Sequence, residues 1–181
     1  MKDVASLFET FGDRCGQLLE SQRGKPFRQA AIEYDWNERG NFTRKYAHSV
    51  TTFAMQAFHL DEDVDVANRA LQELFRHYLE NPLDLYESHS FHWSGALYHR
   101  LYSFFGPEGS VAKDRMDEET QVLMLEMMWA WSKKASGGLD SDTEHIWRFP
   151  NSENHHAMGI VTTWGFCGIL KDQDGYAARV F

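Results

Sequence analysis

Between Asn41 and Leu170 the apolar residues of this chain recur at steps of three and four, and a helix-stopping signal cuts off each run. That period belongs to α-helices. Phe42, Tyr46, Val50, Phe53, Ala54 and Ala57 form one stripe, and Asn41-Phe42-Thr43 at its start predicts a capped helix running to His59. Asp61, Asp63 and Asp65 then prime a second helix through Glu80. On it Val64, Ala67, Leu71, Leu74, Phe75, Tyr78 and Leu79 share a face, and Asn81-Pro82 stops it. So short a connection makes the two an antiparallel pair. An aromatic-rich helix is expected from His89 to Phe105, ended by Gly106-Pro107. Asp117-Glu118-Glu119 opens the next helix with carboxylates at its positive end, and Ser136-Gly137-Gly138 ends it. Val122, Leu123, Leu125, Met127, Met128, Trp129 and Trp131 make that helix apolar nearly all round, which predicts that it is mostly buried.

Two further stretches read as helical. Asp3 to Gln22 spaces Val4, Leu7, Phe8, Phe11, Leu18 and Leu19 near a helical period, interrupted by Gly12 and Gly16. Ala157 to Leu170 is an apolar run preceded by a polar stretch, whose Glu153 to His156 fall in a first helical turn after Pro150 and Ser152. No stretch alternates with period two for long enough to be a core strand. The fold class is therefore all-α, an array of antiparallel helical hairpins of the kind that builds an (α/α) toroid. We expect one domain over residues 1–181. The last helix has no evident partner after Phe181, so the expected whole is a longer toroid of which this is the N-terminal portion.

Composition excludes several classes of function. A hydrophobic content of 43% with 14% aromatic residues is ample for a packed core, while a net charge of −9 without any basic stripe argues against nucleic acid as a partner. No run approaches the roughly 20 apolar residues of a membrane span, and no basic region followed by an apolar stretch opens the chain. The expectation is a soluble chain with no membrane partner and no signal peptide in the sequence given. A periplasmic or extracellular location needs a leader outside it. Cys15 and Cys167 match no metal or redox spacing and read as small core residues, a disulfide between them staying open. Oligomeric state is not indicated.

The chemistry concentrates in two clusters. The first is Trp147-Arg148-Phe149-Pro150-Asn151-Ser152-Glu153-Asn154-His155-His156, where a helix start adds backbone N–H groups and a positive dipole end to ionisable side chains, a setting suited to an anion. The second is the helix of His89, His92, Trp93, Tyr98 and His99, whose histidines fall near one face at helical spacing with aromatic neighbours that suit the C–H face of a sugar ring. Each has a plainer reading. Glu153 and Asn154 serve equally as caps of the helix they open, and the aromatics equally as a helix–helix interface. Three imidazoles among His89, His92, His145 and His155 offer a conceivable metal site, but the HExxH spacing is absent, and no metal or cofactor is expected. His48, His59 and His77 read as ordinary, partly exposed helix residues, and Met124, Met127 and Met128 as core filling.

The Trp147 to His156 block, opening a helix in a series of hairpins, resembles the (α/α) toroid domains of polysaccharide lyases in the heparinase II/III and alginate lyase group. The resemblance implies β-elimination on a uronic-acid-containing glycan, with Asn154 and His155 neutralising the uronate carboxylate and Tyr98 or His99 moving the C5 proton. His92, Trp93, Trp147, Arg148, Glu153 and His156 would then line the substrate. The residues fit such chemistry on their own terms, because proton abstraction beside a carboxylate needs donors aimed at the carboxyl group and a base near the carbon. Two alternatives compete. A glycoside hydrolase would pair Glu153 with Asp142, Glu144 or Glu87 across the bond, and a non-catalytic glycan-binding or scaffold domain would use Trp93, Trp147 and Trp164.

Overall fold

The computed structural model describes residues 44–82, 85, 89–135 and 153–176, and every regular element among them is a helix. These are α1 (Arg44–Leu60), α2 (Val64–Glu80), α3 (His89–Phe105), α4 (Glu118–Ala135) and α5 (Glu153–Leu170). The helix expected over Asp3 to Gln22, and the cap expected at Asn41-Phe42-Thr43, lie outside the described residues.

The turn between α1 and α2 explains how three residues suffice to reverse the chain. Asp61 takes φ 58 and Asp63 φ 53, left-handed conformations that aspartate tolerates better than most residues. With Asp61 left-handed just past the end of α1, the Glu62 N–H reaches back to the Ala57 carbonyl at 3.0 Å, which closes the last turn of the helix. Asp65, in the first turn of α2, places a carboxylate against the positive helix end as the sequence predicts.

Helix directions follow from paired contacts. Phe58 packs on Phe105 with ring centroids 5.6 Å apart, and Thr51, seven residues earlier, stands beside Tyr98, seven residues before Phe105, so α1 and α3 run the same way. The loop after α3 folds back on it, Arg115 and Met116 N–H groups bonding the Phe105 carbonyl at 3.0 and 3.2 Å, so α4 starts where α3 ends. Trp131 Nε1 donates to Thr163 Oγ1 at 3.2 Å, while the Tyr176 hydroxyl donates to the Glu126 carboxylate, which makes α4 and α5 antiparallel. Hence α1, α3 and α5 run one way, and α2 and α4 the other. The principal helix contacts go from α1 to α2, α4, α5, α3 and back to α1, a closed ring around one core.

Two of the expected hairpins are thus packed pairs, α1 with α2 and α4 with α5. The step from α3 to α4 is different: the chain crosses the end of the bundle and sets α4 on α2 instead. A polar cluster fixes that crossing. Asn68, 3% exposed, donates to the Arg115 carbonyl at 2.9 Å and accepts from the Asp117 N–H at 3.1 Å. Gln72 donates to both Asp117 carboxylate oxygens at 3.0 and 2.9 Å, and Asp117 caps α4 by accepting from the Thr120 N–H at 2.7 Å. Arg115 pairs with Asp61 at 2.6 Å across the same end.

The core holds Phe58, Phe75, Tyr78, Tyr98, Trp131 and Phe166, together with Met116, Met124, Met127 and Met128. The methionines fill it, as expected. α4 is less enclosed than its composition predicts: Val122 is 51% exposed and Trp129 half-buried, because α4 sits in the wall of a ring and keeps an outer side. Among the described residues no helix is long and apolar enough to cross a membrane.

Candidate functional site

The contact that organises the second cluster is between α3 and α5. A Cβ built on Gly165 would lie 2.7 Å from His99 Cγ and Nδ1, so the imidazole fills the space a side chain would take. Glycine is what lets α5 come this near. The His99 ring is half-buried. Burial first, then the neighbouring Arg100 charge, hold its pKa below the ordinary histidine value, with the Gly95 carbonyl one turn back opposing them. Its Nδ1 is buried and makes no hydrogen bond of normal geometry.

Gly165→Ala is therefore expected to cost about 1–3 kcal/mol, because His99 or the helix must shift. Gly168, with nothing within 4 Å of its would-be Cβ, is the internal control. Gly168→Ala gains helix propensity and is expected to be neutral or stabilising by up to about 1 kcal/mol. Denaturant unfolding of the two variants reads both signs, and equal effects would show that the His99 ring does not fill the space beside Gly165.

Because α3 and α5 run the same way, their N-termini share one end of the bundle. Ten residues back along each helix from the His99–Gly165 contact stand His89 and His155, about 15 Å away along the axis. His92 lies one turn further in on α3. The structure thus brings the backbones of the two helix starts, and with them the positions of His89, His92, Trp93, Glu153, Asn154, His155 and His156, to a common end. The side chains of these seven residues, and all of Trp147, Arg148, Glu87, Asp142, Glu144 and His145, lie outside the described residues.

Tyr98 occupies a different place. Its side chain is 0% exposed, its hydroxyl donates to the Tyr78 hydroxyl at 3.4 Å, and its ring meets Phe75 edge-on at 5.5 Å. Burial pushes its pKa up to about 12, against opposing contacts from Tyr78, Ser94 and Thr51. Ser94 Oγ lies beside it without a hydrogen bond of normal geometry. A phenol so enclosed holds its proton at neutral pH and exposes no surface to solvent.

Of the remaining candidates, His59 is exposed, His48 and His77 are half-buried, and Cys167 is a free, half-buried thiol. Trp164 stands 80% exposed on α5. Sequence reasoning missed the buried polar cluster of Asn68, Gln72, Asp117 and Thr120. Its signal was present, since Asn68 and Gln72 are one turn apart within the apolar stripe of α2. Comparison with known proteins adds no relative: no family model, no curated protein and no solved structure matches the chain.

Proposed function

We propose that this domain binds a uronic-acid-containing glycan at the end of the bundle where α3 and α5 begin, and cleaves it there by β-elimination. The observation that carries the reading is the parallel pairing of these two helices, which sets two helix N-termini side by side. Each offers the first-turn backbone N–H groups that have no partner within the helix, and the positive end of a dipole, a local setting for a carboxylate on a protein whose net charge is −9. Asn154 and His155, in the first turn of α5, are assigned to the uronate carboxyl group.

The proton step falls to the start of α3. With Tyr98 enclosed and His99 on Gly165 about 15 Å along the axis from the level of His155, His92 and His89 are the titratable groups of α3 nearest that level. A neutral imidazole there takes the C5 proton while the carboxyl group, held by donors, accepts the charge that develops. The reading does not depend on a complete toroid, since both helix starts belong to one bundle.

The test is turnover of uronate polymers followed by the ultraviolet absorbance of the unsaturated product. His155→Ala is expected to lower it about 100-fold or more with helical content intact. Undiminished activity removes His155 from the site. Reducing ends without absorbance identify a hydrolase, and neither product leaves a binding domain.

A further inference from the structure

The interior of the bundle changes character along its axis. Where α1 and α3 finish, Phe58 meets Phe105 and the core is apolar. Nearer the end where α3 and α5 begin, each of the five helices buries a hydroxyl: Thr51 on α1, Tyr78 on α2, Ser94 and Tyr98 on α3, Ser132 on α4 and Thr162 on α5, none more than 3% exposed. Their common level follows from the helix pairings. Thr51, Tyr78 and Ser94 all stand beside the Tyr98 hydroxyl. The Trp131–Thr163 bond, in an antiparallel pair, sets the next residue, Ser132, level with Thr162. The His99–Gly165 contact, in a parallel pair, sets Thr162 level with Ala96, midway between Ser94 and Tyr98.

Three of these hydroxyls differ from the rest. A helical Ser or Thr commonly donates to the carbonyl four residues back, as Thr51 does to Ala47 at 2.7 Å, Ser103 to His99 at 2.8 Å and Thr163 to Gly159 at 2.9 Å. Ser94 Oγ, Ser132 Oγ and Thr162 Oγ1 are buried and make no such bond, nor any other of normal geometry. An enclosed hydroxyl left this way is costly, and folded proteins meet the need with internal water. We infer that this polar layer is a binding site for water, with one molecule held between Ser132 and Thr162 and another held by Ser94 with the Tyr98 and Tyr78 hydroxyls. Each place supplies the polar neighbours that an internal water requires. None of the six side chains is charged, so an ion would find no counter-charge among them, whereas water answers a hydroxyl as both donor and acceptor.

Magnetic relaxation dispersion of water oxygen, which registers internal water of long residence, tests this on the full chain. Ser94→Ala and Thr162→Val each delete a hydroxyl at nearly constant shape, and each is expected to remove part of the dispersion with unchanged circular dichroism and no rise in the unfolding midpoint. Ser103→Ala, whose hydroxyl is exposed and bonded to the His99 carbonyl, is expected to leave the dispersion as it was. Dispersion that survives either Ser94→Ala or Thr162→Val overturns the inference. A midpoint that rises in those variants does so too, because relief of a dry, unsatisfied hydroxyl stabilises the fold.

Discussion

Trp131→Ala is expected to remove about 3–5 kcal/mol of unfolding free energy, the range for deleting a fully buried indole. Trp131 is 0% exposed, and it does two things at once. Its ring fills the core between α4 and α5, and its Nε1–H donates to Thr163 Oγ1, whose hydroxyl in turn donates to the Gly159 carbonyl at 2.9 Å. Trp131→Phe separates the contributions, since it keeps most of the apolar volume and loses the hydrogen bond; about 1–2 kcal/mol is expected from it. Urea unfolding decides. If Phe costs as much as Ala, the hydrogen bond and not the packing dominates at this position.

Asn68→Ala is the second large effect, expected at about 3 kcal/mol. Asn68 answers three backbone groups, the carbonyls of Val64 and Arg115 and the N–H of Asp117. Removing its amide leaves the last two without the partner that ties the loop to α2, at a cost of about 1–3 kcal/mol for each group left unsatisfied in the interior. Asn68→Asp keeps the acceptor but loses the donor and brings a carboxylate beside Asp117, so it is expected to destabilise at neutral pH and recover in part as the pH falls through the carboxylate range. Thermal unfolding across pH 4 to about 8 reads that slope. A flat profile would falsify the claim that Asn68 and Asp117 share one enclosed site.

The helices were legible because their ends are written in short-range chemistry. Asn81-Pro82 and Gly106-Pro107 stop α2 and α3 where expected, and α3 from His89 to Phe105 agrees with its sequence reading to the residue. Helix neighbours were not legible. α4 and α5 have apolar residues on every side, so periodicity names no buried face, and only contacts such as His99 on Gly165 reveal which helix lies beside which. Trp164, offered by the sequence as a surface for a binding domain, is exposed although its neighbours in sequence resemble core. That α3 and α5 begin at one end of the bundle followed from helix direction, a property of the crossing after Phe105 that no local pattern encodes. Tyr98 sat among the residues singled out for chemistry, yet it points to Phe75 and Tyr78, because an aromatic helix offers several faces and only packing chooses among them.

The left-handed turn at Asp61 and Asp63, the Asn68 cluster and the folded loop after α3 all lie at the same pole of the bundle, whereas α1, α3 and α5 begin at the other. The hydrogen-bonded cluster around Asn68 and the proposed site are thereby a helix length apart. Substitutions at the starts of α3 and α5 therefore leave the bonds of Asn68, Gln72 and Asp117 in place, so loss of activity in such variants can be read apart from loss of that anchor.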